Sequence, residues 1–339
     1  MKSNVLLIYT GGTIGMINDP KTGSLGAFDF EHLLEHIPEL QLMNVDLAVQ
    51  AFEMPLDSSE VLPDDWKRMA QTVIDNYDLY DGFVILHGTD TMAYSASALS
   101  FMLQGITKPV IFTGSQLPIG VIRTDAKENL ITSIEVAAAK NTDGSSKIQE
   151  VAIYFEYSLY RGNRTSKVSA HYFEAFKSPN LPELVVAGVT IDYQNIPQKP
   201  KTDLQFYTDV DNRVALLKIF PGINFNLYKN MFNYPEVKGI VLETFGSGNG
   251  PSDASFSQFL KDFTDKGGVV INITQCSSGS VELGKYETSG IFQRSGVISG
   301  YDLTTEAAVT KMMFALARFE TKKSVEQFMQ QNICGEMTV

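Results

Sequence analysis

Three segments rich in threonine and glycine each follow a short apolar run: Thr10–Gly15 (TGGTIG), His87–Met92 (HGTDTM) and Thr113–Gln116 (TGSQ). A threonine is a poor nucleophile until a neighbouring group accepts its proton. A lysine can accept that proton only if its pKa falls; burial lowers it and a nearby aspartate raises it. Threonine, lysine and aspartate together can hold a hydroxyl in line, move a proton and, with glycine-rich backbone N–H groups, stabilise a tetrahedral oxyanion. Those abilities match hydrolysis of an amide or ester through an acyl-enzyme. The charge state of the lysine in such a set stays open.

Other chemistries fit less well. TGGTIG lacks the Lys-Ser/Thr of a phosphate loop, and its spacing is not GxGxxG. Of the four histidines (His32, His36, His87, His171), only His32 and His36 stand close together, at i and i+4. No third ligand is near that pair, so it reads as a surface pair and not a metal site. Cys276 and Cys334 are far apart and lack a catalytic context.

The elements that position these loops can be read from the apolar runs. Val5–Tyr9 is a buried strand that enters TGGTIG. Gly82–Ala98 contains a second strand, Phe83–Leu86, a polar loop and a helix of small residues. In an open α/β sheet, ligands sit beyond the carboxyl ends of the strands. Two such loops side by side would gather Thr13, Thr89 and Asp90 around one pocket. Met16–Ala27 reads as an exposed loop, either a lid or a plain connector. A short helix at Phe28–His36 and a strand at Val45–Met54 follow. The strand ends in PLDSSE, where Asp57, Ser58 and Ser59 read as a turn.

Leu62–Tyr77 is a helix with Pro63 at its first position and Trp66 on its core face. Lys108–Phe112 is a strand. Asp125 and Glu128 resemble a capping box for a helix over Ala126–Lys140. Val151–Phe155 is a strand, and Arg161–Lys167 (RGNRTSK), taken alone, reads as a solvated basic hairpin. Leu184–Ile191 is a further strand, and residues 193–212 read as an interdomain linker. The pattern then restarts, with strands at Val214–Phe220, Val237–Phe245 and Gly267–Thr274. Helices at Asn224–Phe232, Ala254–Lys266 and, last, Thr305–Ala317 fill the gaps. This alternation predicts a second, smaller parallel α/β domain. The expected division is a catalytic domain over 1–192 and a C-terminal domain over 213–339.

Composition bounds the rest. A chain of 339 residues, 44% hydrophobic and 19% charged, suits a globular enzyme of two domains. Its net charge of −12 argues against nucleic acid or an anionic membrane as partner. Two cysteines make no disulfide framework, and there is neither a signal h-region nor a long apolar run. These features predict a cytoplasmic chain.

With GSGN and TQCSSG in the second half, the motifs TGGTIG, HGTDTM, TGSQ and RGNRTSK together resemble the L-asparaginase family. The RGNRT and HGTDTM forms are similar to its cytosolic, bacterial type I branch. The resemblance spans essentially the whole chain, and several motifs in the right order are more specific than any one alone. It implies two α/β domains, the larger N-terminal one with a mixed sheet and the smaller C-terminal one parallel. It implies hydrolysis of L-asparagine to L-aspartate and ammonia without metal or cofactor, by a homotetramer of two close dimers.

By the same resemblance, Thr13 is the usual nucleophile, and Thr89, Asp90 and Lys167 form the second catalytic set. Asp57 and Ser58 hold the substrate's α-amino and α-carboxylate groups, which replaces the turn-only reading. Gly12, Gly88 and Ser115 wall the pocket. Asn249 reaches a neighbouring subunit's site, and Tyr286 stands in for the lid tyrosine of many relatives, which is missing between Met16 and Phe28. The resemblance also favours the lid reading of Met16–Ala27. Some type I members bind asparagine at a second site near the segments of Ser166, Cys276 and Glu243. Where those members carry arginine this chain has Glu243, so weak or absent activation is expected. Two other functions fit the motifs: the amidase subunit of a tRNA-dependent amidotransferase, and a non-catalytic amino-acid-binding regulator. The former normally carries an extra N-terminal domain, and TGGTIG begins at residue 10. The latter would be expected to lose one of Thr13, Thr89, Asp90 or Lys167, and all four are present.

Overall fold

The computed structural model describes residues 2–15, 17–18, 25–26, 37–194, 200–228, 231–284 and 287–339. The helix expected at Phe28–His36, the His32/His36 pair and Tyr286 lie outside the described residues. So does most of the expected lid; within it, Ile17–Asn18 pairs antiparallel with Leu25–Gly26. The chain forms two compact units, residues 1–197 with 201–208, and 198–200 with 209–339. Part of the expected linker belongs to the first unit, because Gln205–Phe206 pairs antiparallel with Leu103–Gln104.

The first unit is built on an eight-stranded mixed sheet. Its strands are β1 (Ser3–Gly11), β2 (Val45–Leu56), β3 (Gly82–Leu86), β4 (Val110–Thr113), β5 (Val151–Phe155), β6 (Ser158–Arg161), β7 (Val185–Ala187) and β8 (Ile191–Tyr193). They lie in the order β8-β7-β6-β5-β4-β3-β1-β2. The run from β2 to β5 is parallel, and β5 to β8 pair antiparallel. Central parallel strands are covered on both faces and so read as unbroken apolar runs. Val5–Tyr9 and Phe83–Leu86 are accordingly buried throughout. The expected strand Leu184–Ile191 is instead two strands, β7 and β8, folded back on each other around Gly188.

Helix α1 (Pro63–Asn76) starts on Pro63, and the Asp65 carboxylate accepts the Leu62 N–H at 3.0 Å. It buries Trp66, Met69, Ala70 and Val73. Helix α2 (Met92–Met102) is buried on nearly every side, which its Ala and Ser residues permit. Helix α3 (Ala126–Ala138) corrects one expectation: Asp125 and Glu128 do not form a capping box. Thr124 Oγ1 accepts the Ala126 N–H. Asp125 turns away to the backbone of Gln116 and Leu117, and Glu128 accepts from Tyr154 and Thr132.

The second unit holds a parallel sheet of β9 (Val214–Lys218), β10 (Gly239–Thr244), β11 (Val269–Thr274) and β12 (Val297–Ser299), in that order. Around it lie α4 (Ala254–Asp265), α5 (Glu287–Arg294), α6 (Thr305–Arg318) and α7 (Lys322–Met329). Asp253, Thr304 and Thr321 cap α4, α6 and α7 through side-chain oxygens. The helix expected at Asn224–Phe232 appears in its described part as a single 3₁₀ turn, Phe225–Leu227. Thr305–Arg318 is not the last helix, since α7 follows it, and neither α5 nor β12 stands out in the hydrophobic pattern.

Candidate active site

The strand register brings the polar loops together. Gly11 pairs with Leu56, Tyr9 with Leu86, and Leu86 with Thr113. The carboxyl ends of β2, β1, β3 and β4 are therefore level, and the loops leaving them lie side by side. The Gly12 N–H donates to Leu56 O at 3.2 Å. Gly12 has a left-handed φ of +87°, and a Cβ there would lie 2.5 Å from the backbone nitrogen of Gly88. A Cβ on Gly88 would lie 2.5 Å from Ser58 Oγ. Only glycine lets these three loops approach so closely.

Thr13 opens a 3₁₀ turn over Thr13–Gly15, directly after this contact. It is half-buried, and its hydroxyl has no hydrogen-bond partner among the described residues. Ser58 is buried: its Oγ accepts the Asp90 N–H at 3.3 Å, and its carbonyl accepts the Thr91 hydroxyl at 2.6 Å. Asp57 is close by in sequence and accepts both the N–H and the hydroxyl of Ser59, which hold its pKa below the usual carboxylate range.

Lys167 joins the group from a segment distant in sequence. Ser166–Lys167 pairs antiparallel with Phe176–Lys177. The Lys167 ammonium donates to Thr89 Oγ1 at 2.8 Å and to Asp90 Oδ1 at 2.7 Å. The lysine side chain is 15% exposed and that of Asp90 64%. The Thr89 hydroxyl in turn donates to Gln116 Oε1 at 3.4 Å. An ammonium has no lone pair, so in this arrangement the Thr89 proton points away from Lys167.

RGNRTSK is not a solvated hairpin. Arg161, Asn163, Arg164 and Thr165 are all buried. The Arg161 guanidinium pairs with Glu150 through Nε at 2.5 Å and Nη2 at 3.3 Å. The Thr165 hydroxyl closes back onto Arg161 O at 2.7 Å. Small residues on α2 make room for the turn: a Cβ on Gly162 would already lie 3.0 Å from the Ala96 methyl. This buried turn fixes where Lys167 emerges.

The first unit thus gathers Gly12, Thr13, Ser58, Gly88, Thr89, Asp90 and Lys167, with Asp57 flanking Ser58. Ser115 is buried in the adjacent loop, but its hydroxyl donates to Leu117 O at 2.6 Å within its own turn. Asn249 belongs to the second unit, where its backbone bridges to Phe245. Two further residues support the site without being among the residues assigned to it from sequence. Gln116 contacts Thr89, and Asp125 anchors the Gln116 backbone at 2.9 and 3.1 Å. Burial pushes the Asp125 carboxyl pKa up, against the pull of these hydrogen bonds. The position of Gln116 in TGSQ was the available signal; that of Asp125 was masked by its fit to a helix cap. Among the described residues, no three His, Cys, Asp or Glu side chains gather as a metal site.

A family model described as Asparaginase, N-terminal matches residues 4–199, and one described as Glutaminase/Asparaginase C-terminal domain matches residues 213–329. The chain belongs to the asparaginase family. L-asparaginase 1 of Escherichia coli K12 is 40% identical over 340 residues, covering 99% of this chain and 98% of that protein. The crystal structure of L-asparaginase I from Vibrio cholerae superposes with a TM-score of 0.89 at 38% identity, covering 100% of both chains. One component of the glutamyl-tRNA(Gln) amidotransferase of Pyrococcus horikoshii is 32% identical, covering 99% of this chain and 77% of that protein.

Proposed function

We propose that this chain hydrolyses L-asparagine to L-aspartate and ammonia through a threonine acyl-enzyme. The observation that carries the reading is the Lys167 ammonium bridging Thr89 and Asp90 beside the loop contact that sets Thr13. The higher identity to an L-asparaginase than to an amidotransferase component supports this substrate. Thr13 Oγ attacks the side-chain amide carbon, and the tetrahedral oxyanion is met by backbone N–H groups of the glycine loops. Collapse expels ammonia, which carries away the proton given up by the threonine. Water, activated by the Thr89–Lys167–Asp90 set, then cleaves the ester and returns the proton to Thr13. Asp57 and Asp90 accept from the substrate ammonium, and Ser58 donates to its α-carboxylate. Gly12, Gly88 and Ser115 wall the pocket. The reading also takes Asn249 and Tyr286 as contributions from a neighbouring subunit, in a cytoplasmic homotetramer.

Ammonia release from L-asparagine and L-glutamine, by wild type and Thr13→Ala side by side, tests it. Release from asparagine that vanishes in Thr13→Ala is the expected result. Release that survives moves the nucleophile to Thr89. Release from neither amide refutes the reaction.

A further inference from the structure

His87 has no role in the steps above, yet it lies directly under the loop that carries them. It is 1% exposed and edge-on to Phe112. Both ring nitrogens are engaged. Nδ1 is 2.7 Å from Gly88 O, and Nε2 is 2.9 Å from Ser95 Oγ, which receives the Trp66 indole N–H at 3.0 Å. A carbonyl can only accept, so Nδ1 carries the proton. Burial keeps the ring neutral, with its pKa pushed down to about 4. Nε2 is therefore bare and accepts the Ser95 hydroxyl. Each group donates to the next, from Trp66 through Ser95 and His87 to Gly88.

The last bond sets a peptide plane. In a trans peptide the C=O and the following N–H point in opposite directions. With Gly88 O drawn inward to His87, the Thr89 N–H faces outward, toward the loop side of the sheet. Among the described residues that N–H has no acceptor. Glycine at 88 allows the closest approach to Gly12 and Ser58, but it leaves the backbone free to turn. Something else must hold it.

We propose that His87 is a positioning residue, orienting the Gly88–Thr89 peptide through a donor relay anchored by Ser95 and Trp66, so that the Thr89 N–H faces the reacting carbonyl. This rests on the amide-hydrolase reading. A donor aimed at a developing oxyanion acts in the transition state more than in the bound substrate, so its loss falls on kcat.

Two variants separate positioning from packing. His87→Leu fills similar space without a donor. His87→Asn places an amide N–H near the Nδ1 position. Steady-state asparagine hydrolysis by the full chain is expected to lose about 10- to 100-fold in kcat for His87→Leu, with KM within about 3-fold. His87→Asn is expected to stay within about 5-fold of wild type. Ser95→Ala, which releases the tautomer from a distance, is expected to lose about 5-fold in kcat and serves if His87→Leu does not fold. Equal losses in His87→Leu and His87→Asn, or an unchanged kcat in His87→Leu, overturn the proposal. The Thr89 amide resonance gives a readout independent of turnover. It should move in His87→Leu and stay near wild type in His87→Asn. If wild type hydrolyses neither amide, the reaction reading falls while this resonance still decides the orientation; a resonance unmoved in His87→Leu refutes it.

Discussion

The second unit contains an ion pair sealed from water, and its removal gives a sharp energetic test. Lys311 on α6 and Glu336 near the C-terminus are both 0% exposed, 2.6 Å apart. The ammonium also donates to Met329 O at 3.1 Å and Gln331 O at 2.5 Å, so all three protons have acceptors. The carboxylate accepts the N–H groups of Ile333 and Cys334. Burial pulls the Lys311 pKa down, and the Glu336 charge opposes that pull. Such a pair is not a large net source of stability, but breaking it strands a charge in a medium that solvates it poorly. Lys311→Met leaves Glu336 without its counter-charge and is expected to cost about 3–5 kcal/mol.

Lys311→Met with Glu336→Gln removes both charges while keeping an acceptor for Ile333 and Cys334. The double variant should therefore be more stable than Lys311→Met alone, a non-additivity of at least about 1 kcal/mol. Urea unfolding followed by circular dichroism reads both effects. At a slope of about 2 kcal/mol per molar urea, the single variant's transition moves down by about 2 M. A single variant within about 1 kcal/mol of wild type, or strictly additive losses, would refute the view of a sealed and mutually dependent pair.

Four further outcomes follow from the first unit and from the strand ends of the second. Lys167→Met should lower asparagine turnover by about 10²–10⁴-fold without unfolding the chain, and Lys167→Arg should not restore it, since a planar fork cannot replace an ammonium between Thr89 and Asp90; ammonia release and circular dichroism check both halves. Gly88→Ala puts a Cβ 2.5 Å from Ser58 Oγ and should cost at least about 10-fold in kcat/KM, measured in the same assay. His87 is neutral when folded down to about 4, whereas in the unfolded chain it takes a proton below about 6.5. Stability should then fall by about 3 kcal/mol as pH drops across that window, and His87→Asn should abolish this component in urea titrations read by the single tryptophan, Trp66. Glu243 is buried, 3.4 Å from Lys218 and accepting from Thr305 at 2.5 Å. A carboxylate ligand would meet a carboxylate there, so the rate curve in asparagine should be hyperbolic, and a sigmoidal one would contradict this.

What the sequence made legible, and what it hid, divides along the range of the interactions. Val5–Tyr9 and Phe83–Leu86 are legible because central parallel strands must be apolar on both faces, and the glycines that end them mark the loops. Level strand ends then follow from the pairing register, which gathers Thr13, Thr89 and Asp90 without further information. Lys167 is different. Its place depends on a run of polar residues that any local reading puts in water. Arg161 is buried because its partner Glu150 lies just before β5, and the antiparallel pairing of β5 with β6 brings the two together. The turn fits because Ala96, on a separate helix, is small enough to admit Gly162. Asp125 shows the same limit from the other direction. Its spacing to Glu128 satisfies a local capping rule, yet its carboxylate accepts the N–H groups of Gln116 and Leu117 at the end of the TGSQ loop, while Thr124 serves the helix. Hydrogen bonds of similar strength compete for each polar group, and the long-range partner wins where the fold has already brought it near. Thr13, Thr89 and Asp90 are therefore readable from the loops that end apolar strands. Asp57, Ser58, Ser115 and Lys167, whose local sequence also suits a turn or a solvated loop, need the fold or the resemblance to place them.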